Sequence, residues 1–422
     1  MDKKFYKFYK KNIDERLSIL REEGYLNDSD LPSLDRQAAN SMVENYLFNY
    51  ELPMGLALNF IIDGKDYLVP MATEEPSVIA AASNGAKTLG NITTTIEEKS
   101  VIGQIILYEI NDLEYALKQI ETHKEEILDR ARQMSQSMVK RGGGPRKVWV
   151  DSFREDKDIF ISLYLSVDTC DAMGANTINT ILEGLSTYIE EITDSKFLMR
   201  IISNYASESI VRAYCKIDVR KLHDDLLEAR RIAKRIDLAS LYTKLDPYRA
   251  ATHNKGIMNG VDAVVLATGN DFRAIEASAH SYASRNGKYQ GLTSWKFNED
   301  DDTLSGSIEI PMPVATLGGT ISSHPIAKWS LSLLGNPSAR HLAGIIAAVG
   351  LSQNFSAIRA IVTVGIQEGH MSLHARSVAK RAGARDEEVD DLIELLKKAD
   401  KINIENANLL LERLRSSHDK IE

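Results

Sequence analysis

Residues 147–203 read KVWVDSFREDKDIFISLYLSVDTCDAMGANTINTILEGLSTYIEEITDSKFLMRIIS, and this segment dictates much of the fold. Its apolar patterning changes between strand and helix periodicity. The pattern predicts strands over 147–153 and 158–167, a break over 168–176, a helix over 177–192, and strands over 196–203 and 209–219. A polar helical stretch, 111–141, precedes them and ends at a glycine run. The order α-β-β-α-β-β predicts a compact α/β unit between about 106 and 218, with an antiparallel sheet similar to the split βαβ plan.

The composition is that of an ordinary globular chain. A length of 422 residues predicts two or three domains. Because 43% of the residues are hydrophobic and 26% are charged, we expect these domains to be folded. The net charge of -9 argues against nucleic acid as a partner. Cys170 and Cys215 are the only cysteines, so a disulfide framework and a CxxC zinc site are both excluded, and a reducing cytoplasm is predicted.

Two segments bear on targeting and membrane insertion. The N-terminus lacks the apolar core of a secretory signal. The stretch 342–358 is interrupted by polar residues and flanked by Arg340 and Arg359, which argues against a membrane span. We therefore predict a chain that does not engage a membrane.

The rest of the chain alternates helices with two hairpins. The remaining predicted elements are helices over 14–23 and 35–49, a hairpin over 57–71, a helix from near Pro76, helices over 220–242 and from Asp246, a second hairpin over 293–312, buried helices over 337–382, and two amphipathic helices after Gly383.

Glu75 immediately precedes Pro76 at the start of a predicted helix. The proline restricts Glu75 to an extended conformation, so backbone geometry aims its carboxylate. Two interpretations remain open on local grounds. The carboxylate is either favourably placed near a helix N-terminus or is a catalytic group that needs partners elsewhere in the chain.

Lys255 and Asp271 are the candidate partners. Lys255 lies between Asn254 and Gly256 in a region too apolar for a routine solvated lysine, and Gly260 permits close approach of another backbone or a ligand. Asp271 stands at the start of the next predicted helix, where an N-cap role would explain it. The alternative is a Lys–Asp pair that keeps an ammonium charged beside a developing oxyanion.

His370 and His374 are spaced i, i+4, so both rings would share one helix face. Glu368 does not complete an HExxH motif and no third ligand is evident, so no metal site is predicted. The open alternatives are core or interface histidines, or a general acid that protonates a leaving thiolate.

The segment DAMGAN, 171–176, follows an apolar strand and opens a helix, where backbone N–H groups can receive a phosphate. It contains one glycine, Gly174, and is therefore not the GxGxxG fingerprint of a Rossmann fold. An ordinary turn is the alternative. The run KRGGGPRK, 140–147, either neutralises phosphate or is a solvated helix end.

Taken together, these segments resemble hydroxymethylglutaryl-CoA (HMG-CoA) reductases, specifically the class II form of bacteria. The resemblance extends over nearly the whole chain. It rests on Glu44–Asn45 with ELPMGLALNF (51–60), VPMATEEPSVIAAAS (69–83), DAMGAN (171–176), DPYRAATHNKGIMNGVDAVVLATGNDFRAIEA (246–277), LAGIIAAVGLSQN (342–354) and GIQEGHMSLHAR (365–376).

The resemblance implies that Glu75, Lys255, Asp271 and His370 are catalytic. The family reduces a thioester to an alcohol with two hydrides, through a hemithioacetal and an aldehyde. Lys255 would stabilise the carbonyl oxygen, Asp271 would tune that ammonium, and Glu75 would handle a proton on the substrate oxygen. His370 would protonate the departing CoA thiolate.

The same resemblance implies the binding residues. The positions matching contacts to the hydroxymethylglutaryl group are Ser77, Arg249, Asn259, Gln353 and His374, and those matching the cofactor-binding block are Asp171, Met173, Gly174, Ala175 and Asn176. NADPH is the predicted cofactor, with NADH as the alternative. HMG-CoA, mevalonate and CoA are the implied ligands. The family's CoA-contacting arginine has no clear counterpart, and Lys10 and Lys11 are candidates for its role.

The implied architecture is mixed α/β (α+β). A large, mostly helical substrate and dimerisation domain would comprise 1–105 and 219–376. A small ferredoxin-like NAD(P)-binding domain would comprise 106–218, and a C-terminal helical flap would comprise 377–422. A homodimer, or a higher oligomer, with active sites at the subunit interface is also implied.

Three other functions are alternatives. The first is the same enzyme running oxidatively in mevalonate degradation. The second is an acyl-CoA transferase or synthase with Cys170 as nucleophile, which the absence of an adjacent cationic residue disfavours. The third is a non-catalytic CoA- or nucleotide-binding homologue.

Overall fold

The computed structural model describes residues 3–27, 31–97, 99–363, 375, 378–399 and 401–418. Groups of helices alternate with pairs of strands along this part of the chain. The helices are α1 (Ile13–Glu22), α2 (Arg36–Met42), α3 (Val78–Leu89), α4 (Leu113–Thr122), α5 (Lys124–Met134), α6 (Gln136–Val139), α7 (Ala175–Thr193), α8 (Leu226–Tyr242), α9 (Pro247–Ala267), α10 (Phe272–Ala283), α11 (Gly319–Ser323), α12 (Pro325–Leu333), α13 (Ala339–Val362), α14 (Asp386–Lys398) and α15 (Ile404–His418). The strands are β1 (Met54–Ile62), β2 (Lys65–Ala72), β3 (Asn91–Ile96), β4 (Ser100–Tyr108), β5 (Gly144–Glu155), β6 (Asp158–Asp168), β7 (Lys196–Ser203), β8 (Ile210–Asp218), β9 (Thr293–Asn298) and β10 (Thr303–Pro311).

The larger sheet has six strands in the order β2-β1-β3-β8-β10-β9. Its two outer pairs are the predicted hairpins, and both are antiparallel. The first hairpin turns at Asp63 and Gly64, whose φ angles of 51° and 80° suit the small polar residues there. Strand β3 runs parallel to β1 and joins the hairpin to β8. This sheet is the platform on which the helices around the candidate site pack.

Helices α3, α9 and α13 share one hydrophobic cluster with the larger sheet. Helix α9 lies so close to α13 that a β-carbon built on Gly260 would be 2.9 Å from Cβ of Gln353. Glycine at 260 therefore permits the close packing that the sequence predicted there. Helix α13 is long and apolar enough to cross a membrane. However, 72% of its most apolar 18-residue stretch is buried inside the protein, as in a core helix.

The smaller sheet has four strands in the order β5-β6-β4-β7, and every neighbouring pair is antiparallel. Helices α4, α5 and α7 share its hydrophobic cluster. The chain order β-α-β-β-α-β with this strand order is the split βαβ plan that the sequence predicted. A mixed α/β fold with an inserted small sheet is thus confirmed.

The strand membership of the small unit differs from the sequence-based expectation of 106–218. Strand β4, which begins at Ser100, occupies the centre of the small sheet and starts before that boundary. Strand β8 ends at Asp218 but belongs to the larger sheet, because it pairs with both β3 and β10. Its alternating pattern predicted a strand correctly, whereas its partners lie far away in the sequence.

The chain enters and leaves the small unit at one place. The Ser100 N–H donates to the carbonyl oxygen of Glu208 at 3.0 Å. The Ser209 hydroxyl donates to the carbonyl oxygen of Ser100 at 2.7 Å. The two crossings are therefore hydrogen-bonded to each other.

The C-terminal segment contains the two predicted amphipathic helices, α14 and α15. Their apolar faces pack on each other in a separate hydrophobic cluster that includes Leu392, Leu396 and Leu411. The guanidinium of Arg415 binds the carboxylate of Glu388 at 2.8 Å and holds the pKa of that carboxyl at about 2.

Candidate active site

An ion pair between Glu75 and Lys255 forms the centre of the candidate site. The ammonium Nζ of Lys255 donates to Oε2 of Glu75 at 2.6 Å, although the two residues are 180 positions apart. Glu75 lies in the turn between β2 and α3, where its N–H donates to the hydroxyl of Thr73 at 3.2 Å. The pair connects the entrance of α3 to the middle of α9.

Asn259 engages the second oxygen of the same carboxylate. Its Nδ2 donates to Oε1 of Glu75 at 3.3 Å. Asn259 is one turn after Lys255 on α9, so both side chains project from one helix face. The carboxylate of Glu75 is therefore held in one orientation by two donors from a single helix.

Asp271 is the N-cap of α10. Its Oδ1 accepts hydrogen bonds from the N–H groups of Arg273 and Ala274 at 3.0 and 3.1 Å. Its nearest cation is Arg273, at 3.8 Å. Within the part of the chain that the structure describes, Lys255 forms its ion pair with Glu75 and not with Asp271. The N-cap interpretation is thus confirmed, and the Lys255–Asp271 contact is not formed in this structure.

Two of the residues expected to bind the acyl group carry buried polar atoms with no partner. Ser77 stands at the N-cap of α3 with a φ of 80°, and its hydroxyl is buried without a hydrogen bond. Oε1 of Gln353 is likewise buried and unpaired. Unsatisfied buried polar atoms and a strained backbone both carry a cost, and they recur where a ligand completes the bonding.

The residues that carry these atoms are near neighbours of Glu75 and Asn259 along the chain or in the helix packing. Ser77 follows Glu75 by two positions, and Gln353 packs against Gly260, next to Asn259. Arg249 lies on the first turn of α9, and among the described residues no carboxylate pairs with its side chain. Partial burial lowers the pKa of its guanidinium without neutralising it. An acyl chain with a terminal carboxylate would find an unused cation here.

The segment 171–176 forms a tight turn into α7. Gly174 has a φ of 84°, and a β-carbon there would lie 2.1 Å from Cγ2 of Thr169, so no other residue fits. Helix α7 has no side-chain cap and no acidic residue in its first turn. Asp171 does not cap α7, because its Oδ1 accepts a hydrogen bond from the N–H of Ala339 at the start of α13, at 2.7 Å. The first N–H groups of α7 therefore remain available to an anion.

Cys170 does not have the surroundings of a nucleophile. Burial raises the pKa of its thiol above the ordinary value, and the nearby Asp168 raises it further. Arg141 acts in the opposite direction but does not reverse the shift. The group is a thiol at neutral pH, which argues against covalent catalysis by this residue.

His370 and His374 lie outside the described residues. Among the residues that the structure does describe, no group of His, Cys, Asp and Glu side chains could hold a metal ion.

Sequence reasoning missed Lys99, a lysine that is only 3% exposed and whose ammonium donates a hydrogen bond to the 168–174 loop. No local pattern marks it, since a single lysine before a strand is ordinary.

Comparisons with known proteins agree on one family. The family model described as hydroxymethylglutaryl-coenzyme A reductase matches residues 12–375. The 3-hydroxy-3-methylglutaryl-coenzyme A reductase of Archaeoglobus fulgidus is 43% identical over 417 residues, which are 97% of this chain and 94% of that protein. A structure of the enzyme of that name from Streptococcus pneumoniae is 44% identical, with a TM-score of 0.83, and the match covers 97% of this chain and 99% of the other. A structure of the class II enzyme from the same organism, bound to NADPH in open conformations, is 44% identical with a TM-score of 0.82, covering 85% of this chain and 100% of the other.

Proposed function

The chain belongs to the hydroxymethylglutaryl-coenzyme A reductase family, and from that premise we propose how its own residues carry out the reaction. The protein is an oxidoreductase that uses two reduced nicotinamides to convert HMG-CoA into mevalonate and free CoA. The observation that carries the assignment of its residues is the Glu75–Lys255–Asn259 constellation beside the unpaired polar atoms of Ser77 and Gln353.

Lys255 would stabilise the oxygen on which negative charge develops. Its side chain is 63% exposed, so the ammonium is accessible to a substrate carbonyl while it holds Glu75. A preorganised cation at that position lowers the barrier because the charge appears only as the carbonyl is reduced. Glu75, fixed by Lys255 and Asn259, would move the proton to or from the same oxygen.

Asp271 and His370 complete the proposed catalytic set. Asp271 uses Oδ1 for its helix cap, which leaves Oδ2 without a donor among the described residues. In the proposed catalytic set this oxygen tunes the Lys255 ammonium, a contact that the described residues of the single chain do not form. His370 would protonate the thiolate of CoA after the first reduction, so that the thiol departs and does not attack the aldehyde again.

The residues of the 171–176 turn suit the phosphates of a nicotinamide dinucleotide. The uncapped N-terminus of α7 presents free N–H groups and the positive end of the helix dipole. Met173, Gly174, Ala175 and Asn176 would hold NADPH there, and Asp171 would join this loop to α13. When bound, NADPH would supply one hydride, and two NADPH molecules in turn would supply the two that the reaction needs. NADPH is our choice over NADH because reductive biosynthesis usually draws on it, and the biosynthetic direction is proposed on the same ground.

Ser77, Arg249, Asn259, Gln353 and His374 are proposed to bind the hydroxymethylglutaryl group. Arg249 would pair with its carboxylate, the Ser77 hydroxyl would donate to one of its oxygens, and Oε1 of Gln353 would accept a hydrogen bond from its hydroxyl group. In the overall reaction one thioester, two NADPH and two protons give one alcohol, one free thiol and two NADP⁺. Lys10 and Lys11 are the proposed contacts to CoA.

The proposed assembly is a homodimer in the cytoplasm, with the small NAD(P)-binding unit running from Ser100 to Ser209 and with 377–422 as a flap. The dimer is supported by exposed apolar side chains over 43–50: Val43, Leu47, Phe48 and Tyr50 are 54%, 75%, 79% and 87% exposed. Contiguous exposed apolar surface marks protein interfaces. The mass of the protein in solution tests this directly.

The reaction is tested by its stoichiometry. We expect HMG-CoA to consume two equivalents of NADPH and to release one free thiol, with NADH giving a lower rate and with mevalonate, CoA and NADP⁺ supporting the reverse reaction. Binding of the cofactor without its oxidation would instead indicate the non-catalytic homologue. A faster reverse reaction would indicate the degradative role.

A further inference from the structure

Lys99 is a buried cation outside the catalytic constellation. It lies between β3 and β4, where the chain crosses from the larger sheet to the smaller one, and only 3% of it is exposed. Removing an ammonium from water carries a large cost unless its N–H groups are all bonded. A lysine in this place therefore needs specific acceptors.

The side chain of Lys99 has three acceptors in one loop. Its Nζ donates to Oγ1 of Thr169 at 2.9 Å, to the carbonyl oxygen of Cys170 at 2.6 Å and to the carbonyl oxygen of Ala172 at 2.9 Å. An ammonium has three N–H donors, so the three acceptors use all of them. One charged atom, Nζ of Lys99, therefore fixes the relative positions of three residues of the 168–174 loop.

The loop has a conformation that it would not keep unaided. Cys170 has a φ of 51° and Gly174 a φ of 84°, both in the left-handed region. Left-handed backbone persists in a non-glycine residue only when its surroundings impose it. The carbonyl oxygen that Lys99 binds most closely is that of Cys170, the strained residue.

The opposite side of the loop is attached to the larger unit. The N–H of Thr316 donates to the carbonyl oxygen of Asp171 at 2.9 Å, and Oδ1 of Asp171 accepts the N–H of Ala339. Arg340 lies 3.3 Å from Asp168. The loop is thus clamped between Lys99 and the N-terminus of α13, and α7 starts directly after it.

We propose that Lys99 is a positioning residue that shapes the 168–174 loop and so orients the N-terminus of α7 toward the phosphates of the cofactor. This inference rests on the proposed function, because it takes the 171–176 turn to be the NADPH site. Lys99 does not touch the cofactor in this scheme. It acts through the carbonyl oxygens of Cys170 and Ala172.

The charge on Lys99 makes the proposal testable by pH. The charged and titratable groups around its Nζ are Asp168, Cys170, Asp171 and Arg340. Burial lowers the pKa of Lys99 to about 8, against the opposing effect of Asp168 and Asp171. A neutral amine has two N–H donors and cannot serve three acceptors. The loop therefore loses part of its support as the pH rises through about 8, and NADPH affinity falls over the same range.

The experiment measures the dissociation constant of NADPH for the full-length protein by nicotinamide fluorescence, below and above the pKa of Lys99. Below it, Lys99→Met should raise the dissociation constant by about tenfold, the effect of losing charge-assisted hydrogen bonds. Above it, the wild-type value should rise towards that of Lys99→Met. In steady-state assays KM for NADPH should rise more than KM for HMG-CoA.

Two further variants keep the test decisive. Lys99→Arg stays charged at every pH tested, so its dissociation constant should not rise across this range, and it provides the result if Lys99→Met does not fold. Lys296→Met is the matched control, because Lys296 also binds a mostly buried carboxylate, that of Asp237 at 3.1 Å, but lies away from the loop. Its NADPH affinity should equal that of the wild type.

Several results would overturn the inference. Equal NADPH affinity in Lys99→Met and the wild type below the pKa, or a rise with pH in Lys99→Arg as steep as in the wild type, would remove the positioning role and leave the proposed function intact. Absence of NADPH binding by the wild-type protein at either pH would overturn both.

Discussion

Replacing Glu75 by glutamine tests the proposed catalytic role of this residue separately from its structural role. The change keeps the size of the side chain and removes its charge. The amide oxygen of the substituted side chain can still accept the hydrogen bond from Lys255 that now measures 2.6 Å. The variant therefore retains the arrangement of the site but cannot take up or release a proton.

The effect on stability should be small. The side chains of Lys255 and Glu75 are 63% and 35% exposed, so water and salt screen their attraction. Ion pairs of this kind contribute about 0–1 kcal/mol to the free energy of unfolding. We expect Glu75→Gln to lower that free energy by less than about 1 kcal/mol.

The effect on turnover should be much larger. Proton transfer by a positioned side chain accelerates a reaction by about 100- to 10,000-fold, which is roughly 3–5 kcal/mol of activation free energy. We therefore expect kcat to fall by at least about 100-fold while KM for NADPH changes little. The assay follows the loss of nicotinamide absorbance with HMG-CoA as substrate, and denaturant unfolding measures stability in parallel.

Asp301→Asn is the matched control. Asp301 pairs with Lys216 at 2.7 Å, with side chains 42% and 57% exposed, on the hairpin edge of the larger sheet. It should change stability as little as Glu75→Gln does and leave kcat at the wild-type value. Two results would refute the reasoning: a Glu75→Gln enzyme with more than about a tenth of wild-type turnover, or a loss of activity matched by a loss of folded protein.

The remaining predictions concern Lys255, His370 and His253. Lys255→Ala should abolish hydride transfer in a folded protein, as judged by circular dichroism and NADPH oxidation, and a wild-type rate would exclude the oxyanion role. His370→Gln should impair reduction of the thioester more than reduction of free mevaldehyde, and equal losses on the two substrates would contradict thiolate protonation. Burial lowers the pKa of His253 from 6.5 to about 3, so below pH 6.5 the unfolded chain binds the extra proton and the free energy of unfolding falls as the pH drops towards 3. His253→Gln should flatten this slope in denaturant titrations at several pH values, and an unchanged slope would assign it to other groups.

The sequence predicted the local elements well where short-range chemistry determines them. Asp246 and Pro247 indicated a helix start, and the carboxylate of Asp246 does accept the N–H groups of Tyr248 and Arg249 at 3.1 and 3.2 Å. The polar helical stretch 111–141 was less well resolved, since it is three helices that break at His123 and Ser135 without glycine or proline. Neither residue gives a strong break signal in the sequence.

Long-range contacts were harder to predict because no local pattern encodes them. The alternation in 209–219 identified a strand but not its sheet, which depends on pairing with β3 and β10. Glu75 had an ordinary local explanation, and Lys255 was only a candidate partner until the resemblance to a family assigned both residues to one site. The structure brings them to 2.6 Å, while the predicted contact between Lys255 and Asp271 is not formed.

Because hydrogen bonds join Ser100 to Glu208 and Ser209, the two ends of the small unit lie side by side, as they do in a domain that can be inserted into or removed from a chain. A segment whose two ends meet at one point can be exchanged without moving the strands on either side of the junction. Exchange of this segment would alter the proposed NADPH site and leave the proposed acyl-binding residues unchanged. Hybrid proteins spliced at these serines would allow the two preferences to be recombined in the laboratory.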